Sequence, residues 1–381
     1  MFFKNIISNS KNTYRLVKAD LIDRIYLRNY NFEPKTLLII KLDAIGDYIL
    51  FRNFLQEIKT SKRYKNYKIT LLGNQLWRDI SVHFDAISID EFIWINPTDL
   101  DDYNYRRVTE KKIFDLKFEE VVYPTYSRTD LGDSLVIRSG AKLKTSFNGD
   151  ARNFAKDNKK IKNDRKYDVL LDVHDTLSFE FYKYINFFSN LLSTDLTHKK
   201  SVLIEKITVS KKIVFSMGAS ASSRRWNVEK FHELAIHLLN TLGTDYTLYL
   251  CGSVNDSILV NNFKLCSPEL NVVDLTGKQS LVEFIHFVSD AYLVVSNDSG
   301  PLHIAAACNV NVVALSNGNN FARFVPYPKG INDKVITIFP EVLKHISDDH
   351  NKIKKLQDND STYNINDISI EQVMNELNTI L

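Results

Sequence analysis

Residues Ala291 to Ser316 read AYLVVSNDSGPLHIAAACNVNVVALS. The apolar run Tyr292–Ser296 predicts a buried strand, and it stops at the polar turn Asn297-Asp298-Ser299-Gly300. Pro301 opens a helix where proline is tolerated, and small residues carry that helix to Cys308. A second apolar strand, Asn311–Ser316, follows at once. The turn therefore lies at the carboxyl end of a strand and the amino end of a helix, where α/β sheets take ligands. Free N–H groups and the helix dipole suit that spot to a phosphate.

The same alternation extends in both directions. Upstream, Ile213–Ser216, Tyr246–Cys251 and Asn271–Asp274 predict strands. Helices are predicted at Val228–Leu242, Asp256–Cys266 and Ser280–Ser289. An earlier series has strands at Leu37–Lys41, Lys68–Leu72 and Glu119–Tyr123. Its helices are Tyr48–Lys59, one starting at Asn74, and Leu131–Arg138. Strands alternating with helices imply parallel sheets covered on both faces. The 381 residues suit two domains better than one. Residues 1–195 are assigned to the first, with a basic helix over 1–30, and 211–340 to the second, with the crossing at 195–211. Residues 341–367 read as a polar surface loop and Ile368–Leu381 as a closing amphipathic helix.

Composition narrows the function. A net charge of +3 argues against general nucleic-acid binding. Cys251, Cys266 and Cys308 form no C-x-x-C pair and read as buried thiols of a reducing compartment, so no thiolate zinc site is expected. No signal peptide and no run of ~20 apolar residues is evident, which points to a cytoplasmic protein. In residues 4–28 apolar side chains at helical spacing alternate with Lys4, Lys11, Arg15, Lys18, Arg24 and Arg28. Two readings stand: a helix on an anionic membrane face, or a helix covering the protein's own core. The basic run 151–168 likewise reads either as a solvated loop or as a contact for an anionic acceptor.

Several strand ends carry candidate chemistry. Lys41-Leu42-Asp43-Ala44-Ile45-Gly46-Asp47 closes the first strand, with Gly46 at the turn and Asp47 at or near a helix N-cap. Met217-Gly218-Ala219-Ser220-Ala221-Ser222-Ser223-Arg224-Arg225-Trp226 follows the strand at 213. Its small residues let amides approach an anion, and arginine forks match phosphate oxygens. Gly277-Lys278-Gln279-Ser280-Leu281 makes a third turn. The dinucleotide G-x-G-x-x-G and the P-loop G-x-x-x-x-G-K-[ST] are absent. Capping explains Asp47, Asp298 or Ser299 singly, and His303 reads equally well as a core histidine. The argument lies in these loops converging on one sheet edge.

These motifs resemble glycosyltransferase family 9, the ADP-heptose:lipopolysaccharide heptosyltransferases and their relatives. The resemblance rests on Gly46-Asp47, the loop Met217–Trp226, Gly277–Leu281 and the block Asp298–Ala306. It implies a GT-B architecture, two Rossmann-like doubly wound parallel-sheet domains facing across a cleft. The first would hold the acceptor and the second a nucleotide sugar, with the last helix returning to the first. It implies inverting transfer, with heptose from ADP-heptose as the first choice, to a lipopolysaccharide or related surface glycan. The acceptor would be an anionic glycolipid or glycan met at the cytoplasmic face of the inner membrane. Asp47 would be the general base. Ser220, Arg224 (or Arg225) and the amides of Ser299 and Gly300 would stabilise the leaving diphosphate without a metal or cofactor. Asp298 and His303 would contact donor sugar and phosphates, and Lys278 and Gln279 would flank the base. Met217 and Asn227 replace prolines common in the family, and only Asp256 is offered for ribose contact. Alternatives are another nucleotide sugar, a protein acceptor, or a non-catalytic sugar-nucleotide binder.

Overall fold

The computed structural model describes residues 31–155, 157–204 and 208–378. The basic helix expected over 1–30 lies outside them, as does Lys156. The chain divides into two compact units, each discontinuous in sequence. Among the described residues the first comprises 31–42, 64–73 and 89–172, and the second takes 43–63, 74–88 and the chain from 173 onward.

The first unit holds a six-stranded sheet of β1 (Glu33–Lys41), β2 (Lys68–Asn74), β3 (Glu91–Ile95), β4 (Phe118–Tyr123), β5 (Leu143–Phe147) and β6 (Val169–Leu171). The spatial order is β3-β2-β1-β4-β5-β6, parallel from β2 through β6. Leu37 to Ile40 are fully buried, which is why this strand reads as a continuous apolar run. Leu38, Ile40, Val121 and Tyr123 share one core with Ile113, Leu135 and Val136.

The second unit starts with α1 (Ile45–Phe51), α2 (Leu55–Thr60) and α3 (Arg78–Phe84). Helices α4 (Tyr103–Asp115), α5 (Asp130–Arg138) and α6 (Asp157–Asp164) belong to the first unit, and α7 (Glu180–Leu192) returns to the second. The second sheet then forms from β7 (Lys212–Ser216), β8 (Thr247–Leu250), β9 (Val272–Asp274), β10 (Leu293–Asn297), β11 (Asn311–Leu315) and β12 (Val335–Ile338). Its helices are α8 (Val228–Leu242), α9 (Ser257–Cys266), α10 (Leu281–Val288) and α11 (Gly300–Ala307). The order β12-β11-β10-β7-β8-β9 is parallel throughout. Strand order runs outward in opposite directions from β7 and β10, so this sheet has its topological switch point between them.

Three expectations are corrected. Residues 341–367 are not a polar loop: α12 (His350–Asp358) and short 3-10 turns bury Leu343, Ile346, Ile353 and Leu356 together with Phe321. The closing helix α13 (Ile370–Leu377) does not return to the first domain. Val373 and Leu377 sit in the second sheet's core, because only that face offers Phe231, Leu234 and Ile338 to their apolar stripe. Cys251 and Cys308 are buried, but Cys266, at the end of α9, is only half-buried. Burial pushes the Cys251 thiol up to about 12, so it is unreactive near neutral pH.

Candidate functional site

Because the second sheet is parallel, its strands end on one edge. The loops after β10, β7, β8 and β9 lie side by side there, in that spatial order. The two flanking the switch point are tied by one side chain. Asn297, fully buried, donates from Nδ2 to the carbonyl of Met217 (2.7 Å) and accepts at Oδ1 from the Trp226 amide (3.1 Å). Trp226 is buried in turn, and its Nε1 donates to the carbonyl of Ile368 (3.0 Å). The 217–226 loop is thus pinned at both ends while its middle carries only small side chains.

The two arginines of that loop divide the work. Arg225 donates from Nε and a terminal nitrogen to the carbonyl of Ala219 (2.9 and 2.8 Å), so it braces the loop. Arg224 is bonded to the hydroxyl of the exposed Ser220, and its charge acts on Asp298. Asp298 is buried and accepts from the Ser316 hydroxyl (3.1 Å). Burial pushes its carboxyl up to about 6, with Arg224 pulling the other way.

Ser299 is the N-cap of α11, but its side chain does not cap: its hydroxyl donates to the carbonyl of Asn297 (3.2 Å). Capping therefore does not account for Ser299. His303 is buried about one turn further along, and burial pulls its imidazole down to about 4, so it is neutral near pH 7. Its Nδ1 shares a hydrogen bond with Tyr327 Oη (2.6 Å), and Tyr327 is held well above the ordinary tyrosine value by burial and by Asp298.

The outer loops pack on one another. Asp256 Oδ2 accepts from the amide and hydroxyl of Ser253 (2.8 Å each), closing a capping box. A Cβ on Gly218 would lie 2.3 Å from Asp256 Oδ1, so any other residue there would displace the Asp256 carboxylate. Gly277 has φ +68° and its amide bonds the carbonyl of Gly252 (2.9 Å), so the third turn leans on the second. Lys278 donates to the carbonyl of Asp274 (2.7 Å), Gln279 accepts from the Cys251 thiol (3.7 Å), and Ser280 caps α10.

Asp47 joins this same unit. The N-cap of α1 is Ala44, which has no capping group, and Asp47 stands half-buried in the first turn. The preceding turn is fixed from below: Asp43 O accepts from Asn74 Nδ2 (3.2 Å) and Trp77 Nε1 (3.0 Å). Trp77 stacks on Tyr48 with centroids 3.8 Å apart, and Tyr48 donates to Asp85 (2.6 Å). Helix α1 meets α11 through two glycines. A Cβ on Gly46 would be 2.4 Å from His303 Cδ2, and one on Gly300 would be 3.3 Å from Ile45. Each helix fills the gap the other leaves.

Sequence reading did not single out Asn297, Trp77, Ser316 or Tyr327. Asn297 stands inside the opening motif, where its position before Asp298 was a signal; Tyr327 carries no local signal at all. In the basic run, Lys159 pairs with Asp130 (2.5 Å) and the mostly buried Lys160 with Asp164 (2.8 Å), so part of it serves the fold of the first unit. Among the described residues no three His, Cys, Asp or Glu gather as a metal site, and no helix is long and apolar enough to cross a membrane.

Comparison with known proteins adds to this geometry. Lipooligosaccharide heptosyltransferase 2 of Haemophilus influenzae is 30% identical over 175 residues, 44% of this chain and 47% of that protein. The chain thus spans about half the length of the curated relatives it matches. The glycosyltransferase family 9 structure from Veillonella parvula superposes with a TM-score of 0.68 at 18% identity, covering 92% of this chain and 98% of that one. The ADP-heptose LPS heptosyltransferase II of Escherichia coli gives 0.63 at 18% identity, covering 91% and 98%. The likeness carries the fold, which is α/β of the GT-B class. Residues 129–341 match the family described as glycosyltransferase family 9 (heptosyltransferase), more than half of the chain, and the chain belongs to that family.

Proposed function

We propose that this protein moves a sugar from a nucleoside-diphosphate sugar to a bacterial lipopolysaccharide or related surface-glycan acceptor, with inversion at the anomeric carbon. Heptose from ADP-heptose is the first choice, since the relatives in hand are named for it. The observation that carries the reading is the interlock of α1 with α11 through Gly46 and Gly300. It sets α1, which carries Asp47 in its first turn, against α11, whose N-terminal end carries Asp298, Ser299 and Gly300.

In this reading Asp47 takes the proton of the acceptor hydroxyl as the new C–O bond forms. Arg224, Ser220 and the amides of Ser299 and Gly300 receive the charge that develops on the departing diphosphate. Arg225 and Asn297 hold that cradle in shape rather than touch the donor. His303 acts the same way, from behind α1, instead of contacting the sugar. Lys278, Gln279 and Asp256 border the nucleoside. The donor is the sole small molecule needed, with no resident metal or cofactor. The acceptor is an anionic glycolipid or glycan, reached at the cytoplasmic face of the inner membrane.

A thermal-shift screen of nucleotide sugars, followed by mass spectrometry of a glycolipid acceptor, tests this. A ligand that binds only the folded chain raises its melting temperature. ADP-heptose is expected to stabilise most and to add one heptose to the acceptor. A chain that no nucleoside-diphosphate sugar stabilises would end the proposal.

A further inference from the structure

The last turns of α3 and α10 bring two exposed histidines together. Nε2 of His83 and Nε2 of His286 are 3.4 Å apart, and the rings stand nearly perpendicular (85°) with centroids 5.4 Å apart. Phe84 walls the pair, 4.6 Å from the His83 ring and 5.8 Å from the His286 ring. A separation of 3.4 Å is long for an N–H···N hydrogen bond, since such bonds shorten to ~3 Å when nothing opposes them. It matches a different geometry. Two imidazole nitrogens at ~2.0–2.1 Å from one tetrahedral ion lie about 3.3–3.4 Å from each other.

We propose that His83 and His286 form a two-histidine site for a borderline divalent cation of the zinc class. The ion would sit between the two Nε2 atoms, and water would complete its tetrahedron, since both rings face solvent. Imidazole ligands favour zinc, nickel and copper, and disfavour magnesium and calcium, which demand oxygen donors. The two ligands come from segments 203 residues apart in the chain, so the ion cross-links α3 to α10. It takes no part in transfer: neither histidine belongs to the donor loops or to the turn bearing Asp47. The site stands whether or not the transfer reading is right.

The test uses tag-free full-length protein stripped with a chelator, then equilibrium dialysis and thermal shift with Zn²⁺, Ni²⁺ and, as a control, Mg²⁺. His83→Gln and His286→Gln are the variants; both side chains are exposed, so both proteins should fold. Wild type is expected to bind one more Zn²⁺ than either variant and to melt higher with Zn²⁺ or Ni²⁺ but not with Mg²⁺. Each variant should weaken that site on the order of tenfold or more, and the double variant no further, because one ion needs both ligands. Equal zinc stoichiometry and equal melting shifts in wild type and both variants would overturn the proposal, as would losses that add in the double variant.

Discussion

Gly46 and His303 meet without slack: the imidazole edge occupies the place where any other residue's Cβ would be, 2.4 Å from Cδ2 and 3.1 Å from Nε2. The histidine cannot retreat easily, because its far side is bonded to Tyr327. The first turn of α1 is thereby set by a residue of α11.

Gly46→Ala should therefore push α1 away from α11. Overpacking of this kind costs ~1–3 kcal/mol. A lower melting temperature is expected, with a larger loss in turnover than in donor affinity. An alanine variant with wild-type stability and rate would show that the contact has room to relax.

Asp47→Asn keeps the shape and removes the basicity. Turnover should fall at least ~100-fold, while donor affinity by calorimetry stays nearly unchanged. A variant turning over at the wild-type rate would take Asp47 out of the chemistry.

The two arginines should separate in different assays. Arg224→Ala is expected to weaken nucleoside-diphosphate binding by ~1.5–3 kcal/mol, as for a charged hydrogen bond, with little effect on melting. Arg225→Ala releases the Ala219 carbonyl and should lower stability by ~0.5–1.5 kcal/mol. If calorimetry finds equal affinity for wild type and the Arg224 variant, the cradle is drawn around the wrong residue.

Asp298 makes a pH prediction. Its carboxyl is raised from 3.8 to about 6 by burial, so the native state holds the proton more tightly than the unfolded chain. The sign follows: the penalty is absent below pH 3.8, grows as pH rises, and is complete above about 6. Asp298→Asn removes it. Denaturant unfolding should show the variant gaining roughly 2–3 kcal/mol over wild type at pH 8, and almost nothing near pH 4. A gain independent of pH would assign the effect to packing instead.

The second sheet was readable from β7 to β11 because those strands are short apolar runs closed by Gly, Ser, Asn and Asp, while β12 (Val335–Ile338) was not singled out. The strands at Glu91–Ile95 and Leu143–Phe147 were not, since each mixes polar and apolar residues without a clear period, and Val169–Leu171 is only three residues long. The tail deceived for a related reason. Leu343, Ile346, Ile353 and Leu356 are scattered among charges, and only their meeting with Phe321 makes a core of them. At the site, residue types and spacing marked the loops that approach one edge. What they could not mark were tertiary partners. Asn297 is a turn residue until Met217 and Trp226 are placed beside it, and Tyr327 is anonymous until it touches His303. Likewise Arg128 lies fully buried against Asp133 and Asp164, a polar network that no local pattern announces.

Residues 43–63, numbered with the first half, are housed with the second. Anyone exchanging halves between relatives to alter donor choice must move that early segment as well. A swap cut only near the middle would pair a foreign helix with the His303 edge, and the hybrid would lose the fit of α1 on α11 before its specificity could be judged.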